Sequence, residues 1–142
     1  MKILFVCTGN TCRSPMAGAM AEQLLGGKYK IYSAGLMAMP NSKASGHAIA
    51  VMKERQIDLT KHKSRLVSEE LLTEADLILT MTESHKAALV RAVPEKVFTL
   101  GEYAGCQTSI TDPFGGSLDV YRDCAGEIYK LLLKIAEKIK GN

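Results

Sequence analysis

No run of apolar residues in this 142-residue chain approaches the roughly 18 that a membrane span requires, so a membrane protein is not expected. The stretch Lys2-Ile3-Leu4-Phe5-Val6 is too short for the core of a secretory signal, and Cys7 and Asn10 follow it at once. Cysteine is scarce. The four, at positions 7, 12, 106 and 124, are too few for a disulfide scaffold and lack the paired spacing of a zinc site. No metal or cofactor is therefore expected, and a reactive thiol in a reducing cytoplasmic setting is. An excess of one charge is missing too: the net charge is +3, with Lys and Arg interspersed among Asp and Glu, which argues against a nucleic-acid partner. Repeats, low-complexity tracts and linkers are also lacking. With 46% apolar and 23% charged residues, the chain reads as one globular domain over 1–142, expected to be a monomer.

What is present is an alternation of short apolar runs with helical patterns. Ile3 to Val6 reads as a strand buried on both faces, ending at a glycine-containing loop. Ser14-Pro15 reads as the N-cap and first residue of a helix carrying Met16, Met20 and Leu24, stopped by Gly26-Gly27. A strand over 30–34, a helix over about 44–56, a short helix capped by Ser68 and a strand over 76–81 follow. Thr82 caps the next helix, 96–100 is a fourth strand, and 101–116 is a long loop holding Asp112-Pro113. The last helix carries Val120, Cys124, Ile128, Leu131, Leu132, Ile135 and Ile139 at helical spacing. This order predicts an α/β fold, a four-stranded parallel sheet with helices on both faces in a Rossmann-like three-layer sandwich. Ligands in such sheets bind at the carboxyl ends of the strands, where Cys7, Arg13 and Asp112 can converge.

The segment Cys7-Thr8-Gly9-Asn10-Thr11-Cys12-Arg13-Ser14 carries the chemistry. Running from a strand into a helix N-terminus, it can turn its amides inward, from Thr8 through Arg13, as an anion cradle. Gly9 is expected to supply dihedral freedom, and Asn10 to tolerate a left-handed backbone. Arg13 can close the cradle with a bidentate fork onto phosphoryl oxygens. The same positive field favours the thiolate of Cys7, and the Ser14 hydroxyl can donate to it. In-line attack on phosphorus would give a thiophosphoryl cysteine, which water then hydrolyses. Asp112, in Thr111-Asp112-Pro113-Phe114, is the candidate general acid, although such a pair by itself is more often a turn.

Cys7 through Pro15, Ser33-Ala34-Gly35 and Asp112-Pro113-Phe114 together resemble the low-molecular-weight protein tyrosine phosphatases, in matching order over the whole chain. The resemblance implies Cys7 as nucleophile, Arg13 as phosphate ligand and Asp112 as acid, with phosphorylated proteins as substrates. It also implies a loop-supporting network of Asn10, Ser14, Ser33 and His62, and a pocket wall at Met39 and Phe114. Tyrosine-directed members usually carry Ile or Leu where Thr11 stands, and aromatics where Met39 and Gly115 stand. The change to Thr11 resembles the protein-arginine phosphatases of the same family, which makes phosphoarginine the expected substrate and phosphotyrosine the alternative. The plainer reading of Thr11 is a structural loop hydroxyl.

Other readings compete. An arsenate reductase would need relay cysteines, and none lies between Cys12 and Cys106. A nucleotide-binding loop would need Gly-Lys-Ser or Gly-Lys-Thr. A non-catalytic phosphoprotein-binding module would share the cradle but has no use for Cys7 and Asp112. Cys12 is either a small packing residue or a resolving thiol for oxidised Cys7. Cys106 and Cys124 read as structural, and His47 and His85 as surface residues of helices.

Overall fold

The protein is described from a computed structural model, over residues 1–141. Four strands, β1 (Lys2–Cys7), β2 (Lys30–Gly35), β3 (Leu77–Thr80) and β4 (Val97–Thr99), form a parallel sheet in the order β2-β1-β3-β4. Along β1, alternate side chains serve opposite faces, as the period of two requires. Ile3 and Phe5 join the core beneath α1 (Arg13–Leu25), α2 (Gly46–Glu54) and α6 (Leu118–Lys140). Leu4 and Val6 join a smaller core beneath α3 (Glu69–Glu74) and α4 (Glu83–Leu89). The result is the three-layer sandwich expected from the alternation of elements. No helix among the described residues is long and apolar enough to cross a membrane.

The chain moves from β1 to the neighbour on one side, β2, and then to β3 on the other, so the strand order reverses between β1 and β3. At such a switch point the two connections diverge and leave a crevice at the carboxyl ends of the strands. The Cys7 loop leaves β1 there, and α4 leaves β3 beside it.

Several local expectations are corrected. Ser14 is not the N-cap of α1: Cys12 occupies that position without a side-chain cap, and the Ser14 hydroxyl turns back toward Cys7. Ser45, Ser68, Thr82 and Ser117 cap their helices conventionally, each accepting a first-turn N–H. The loop expected from Gly101 onward begins instead as a short helix, α5 (Leu100–Tyr103), closed by a capping box between Thr99 and Glu102. On α6, Val120 is exposed and Tyr121 is buried in its place, because Tyr121 lies three residues before Cys124 on the inward stripe.

Candidate active site

The loop between β1 and α1 curls around a cavity of about 220 Å³ lined by Cys7, Thr8, Gly9, Thr11, Cys12 and Arg13, with Asp112 and Phe114 from across the sheet. Asn10 makes the curl possible. It adopts a left-handed backbone, φ 57°, which Asn accepts more readily than other non-glycine residues. Gly9, expected to supply that freedom, does not have a left-handed φ, and a Cβ there would meet only ordinary contact. The indispensable glycine is Gly35 at the end of β2, where a Cβ would stand 2.5 Å from the Thr8 carbonyl oxygen and 2.9 Å from the Asn10 nitrogen. The loop is thus packed directly on β2 backbone.

Asn10 is fully buried, and the polar atoms of its side chain are all engaged. Its Nδ2 donates to Ser14 Oγ at 2.8 Å and to Ser33 Oγ at 3.0 Å, and its Oδ1 accepts from the Arg65 amide at 2.9 Å. His62 Nε2–H donates to the Asn10 carbonyl at 2.8 Å. Burial, opposed by this hydrogen bond and aided by Arg65, lowers the His62 pKa, so the ring is held as a neutral donor. Ser14 Oγ lies 2.9 Å from Cys7 Sγ, and because it accepts from Asn10, its own hydrogen remains available to the sulfur.

Arg13 is buried on the opposite side. Its Nη1 donates to the Ile110 carbonyl at 2.9 Å, its Nη2 reaches Thr8 Oγ1 at 3.5 Å, and Asp112 Oδ2 lies 3.7 Å from Nη2. Ile110 is itself tied to the end of β3, its N–H donating to the Met81 carbonyl at 3.0 Å. A buried strand end therefore places both the guanidinium and the following Asp112 loop. The Asp112 carboxylate is 53% exposed at the cavity mouth, and its Oδ1 accepts the Phe114 N–H at 3.1 Å.

The outer residues are distributed unevenly. Thr11 and Phe114 line the cavity, whereas Met39 is 76% exposed and does not. Gly115 has φ 82°, a conformation that an aromatic residue there would adopt only under strain. Cys12 is buried, its Sγ 3.3 Å from Tyr121 Oη and 3.5 Å from Ser45 Oγ. Burial and the Cys12 contact push the Tyr121 pKa up to about 12. Burial likewise pushes the Cys124 thiol up to about 12, which leaves it unreactive at neutral pH. Cys106 is partly buried, 3.5 Å from Lys134 Nζ. Among the described residues no cluster of three or more His, Cys, Asp or Glu could hold a metal.

His85 is the correction in this region. Read from the sequence as a surface residue, it is buried, with Nε2 2.9 Å from Thr8 Oγ1. The available signal was its place in the first turn after β3, on the far side of the topological switch from the Cys7 loop. Arg65 and Ile110 were likewise not foreseen, because both act here through backbone groups that side-chain identity does not reveal.

The chain matches the family described as low molecular weight phosphotyrosine protein phosphatase over residues 2–142. It is 44% identical to a protein-arginine-phosphatase of Bacillus subtilis, covering 99% of this chain and 97% of the relative. It is 40% identical to the low molecular weight protein-tyrosine-phosphatase PtpB of Staphylococcus epidermidis, covering 97% of this chain and 99% of the relative. Among solved structures, the YwlE arginine phosphatase in a cysteine-to-serine mutant with a phosphorylated active-site serine superposes with a TM-score of 0.95 at 42% identity, covering 100% of this chain and 97% of that one. The cradle on β1, the arginine that closes it and the full-length match agree: the chain belongs to the low molecular weight phosphotyrosine protein phosphatase family.

Proposed function

We propose that the protein hydrolyses phosphoarginine in proteins through a thiophosphoryl intermediate on Cys7. The observation that carries this reading is the single cavity in which the Cys7 thiol, the Arg13 fork and the Asp112 carboxylate meet. Cys7 Sγ attacks phosphorus in line, the loop amides and Arg13 hold the equatorial oxygens, and Asp112 gives its proton to the departing nitrogen. Asp112 then takes a proton from the water that breaks the S–P bond, and phosphate leaves while the Ser14 hydroxyl stabilises the departing thiolate. Support comes from the similar arginine phosphatase structure, whose active-site serine is itself phosphorylated.

Thr11 on the cavity wall, the absence of an aromatic at Gly115 and the similarity to an arginine phosphatase favour a guanidine leaving group. A guanidine departs poorly unless protonated, its conjugate acid having a pKa above about 12 against about 10 for a phenol. Phosphotyrosine remains the second reading, favoured by Phe114 at the mouth and by the similarity to PtpB. A panel of phosphoarginine, phosphotyrosine and phosphoserine peptides, run on wild type, Cys7→Ser and Thr11→Ile, separates the readings. Cys7→Ser is expected to abolish turnover, and retained activity would refute the mechanism. Thr11→Ile is expected to shift preference toward phosphotyrosine by roughly 10- to 100-fold, the range a small side-chain change in a pocket supplies. Unchanged preference would remove Thr11 as selector.

Cys7 and Cys12 line the same cavity, which supports a redox role as well. Peroxide would oxidise Cys7 to a sulfenate, and the Cys12 thiol would condense with it, releasing water and forming a reversible disulfide. Mass spectrometry after mild peroxide is expected to show the linked pair. Cys7 sulfinate in its place would count against the idea.

A further inference from the structure

Thr8 has two neighbours besides the cavity it lines. Its Oγ1 accepts from Arg13 Nη2 at 3.5 Å and lies 2.9 Å from His85 Nε2. His85 is only 6% exposed and stands outside the cavity wall, behind Thr8. Its other nitrogen, Nδ1, is buried and has no hydrogen-bond partner among the described residues. Burial and the nearby Arg13 guanidinium push its pKa down to about 4, so at neutral pH the ring carries a single N–H.

That N–H has two possible places, and they differ in what they leave unmet. On Nδ1, it would be a buried donor with no acceptor, and the Thr8 hydroxyl hydrogen would be used up on Nε2. On Nε2, it would be satisfied by Thr8 Oγ1, and only the Nδ1 lone pair would lack a partner. Buried orphan N–H groups are rarer in folded proteins than under-used acceptors, and one left unpaired loses its full hydration. The second arrangement also gives Thr8 Oγ1 two incoming hydrogen bonds, from His85 and Arg13. The hydroxyl hydrogen is then left to point away from both, toward the cavity.

We propose that His85 is a positioning residue whose Nε2–H donates to Thr8 Oγ1 and thereby turns the Thr8 hydroxyl into a donor aimed at a phosphoryl oxygen. This rests on the reading above that the cavity binds a phosphoryl group. Thr8 thus adds a side-chain donor to the cradle of amides, and His85 sets its direction without touching substrate.

Nitrogen-15 NMR of histidine-labelled wild-type protein at pH 7 reads the His85 tautomer directly and needs neither turnover nor a variant. The Nε2–H form is expected, and the Nδ1–H form would overturn the proposal. In kinetics with a phosphoarginine peptide, His85→Ala and Thr8→Val are each expected to lower kcat on the order of 10-fold, less than the loss of a principal oxyanion donor. The double variant should be no slower than Thr8→Val alone, since His85 acts only through that hydroxyl. His85→Gln, whose side-chain amide can still donate, should recover most of the rate. Additive losses, or a Gln variant as slow as the Ala variant, would contradict the assignment. Failure of the phosphatase reading itself is separately visible as wild-type protein that turns over none of the phosphopeptides, and failure of its cysteine mechanism as activity retained by Cys7→Ser.

Discussion

Beneath the cavity, Asn10 is fully buried and joined to Ser14, Ser33, Arg65 and His62, whereas at its mouth Thr11, Asp112 and Phe114 meet solvent with few ties. The floor is a closed network in which each polar atom depends on the next, so a change there disturbs the loop geometry for every substrate. The ties at the mouth are longer: Asp112 Oδ2 lies 3.7 Å from Arg13 Nη2 and Thr11 Oγ1 lies 3.8 Å from Cys12 Sγ. The contrast locates where this fold can vary its substrate: the geometry of the cradle belongs to the floor, and the handling of the leaving group, the proposed proton transfer from Asp112 included, belongs to the rim.

Substitutions can break that division in order of expected effect. Arg13→Lys removes the bidentate fork and the bond to the Ile110 carbonyl, and kcat should fall roughly 100- to 1000-fold, the scale of losing an oxyanion donor. The loss should be equal for phosphoarginine and for an aryl phosphate, and an unequal loss would place Arg13 among the selective groups. Asn10→Ala leaves the Arg65 amide and two serine hydroxyls short of partners and puts alanine in a left-handed conformation. Urea unfolding should show a stability loss of about 3 kcal/mol, given about 1–3 kcal/mol for each buried group left unsatisfied.

Acid should reveal the buried support of the loop on its other side, behind Thr8, through His85. Its folded-state pKa of about 4 lies below the ordinary 6.5, so the unfolded chain binds the proton first as pH falls. Stability is therefore fully present above about pH 6.5 and declines as pH drops through about 4. The decline should amount to no more than about 3 kcal/mol at 1.36 kcal/mol per pKa unit. His85→Gln should flatten this part of the stability profile, and an unaltered profile would assign the acid sensitivity to other groups. The smallest effect is expected at the rim: Phe114, 78% exposed, should change stability by less than about 0.5 kcal/mol on replacement by Ala. A raised KM for peptide substrates with the unfolding midpoint unmoved would support the division between floor and rim. A large stability loss would show that the rim is structural too.

The order of strands and helices was legible because apolar periodicity and helix caps are local signals: Ser68 and Thr82 cap their helices where the sequence places them. Cap reading failed at Ser14, where the hydroxyl serves Cys7 rather than the helix end. The cradle was legible in outline, since Cys7, Arg13, glycine and a strand-to-helix transition have few joint uses. Its support was less so. The left-handed backbone of Asn10 was read correctly, but Gly9 drew the glycine argument that belongs to Gly35, because a glycine's backbone angles and close neighbours are not written in its identity.

By itself, the sequence determined the nucleophile-and-arginine loop, the parallel sheet that carries it and the candidate acid a hundred residues away, because each depends on residue type within a short window. Only the tertiary structure decided what stands behind that loop. His85 and Thr8 are 77 positions apart and meet because the strand order reverses between β1 and β3. Arg13 is held by the Ile110 carbonyl, 97 positions on, because the end of β3 anchors that segment. Contacts of this kind are made by crossing connections and backbone groups, which chain-local chemistry does not encode.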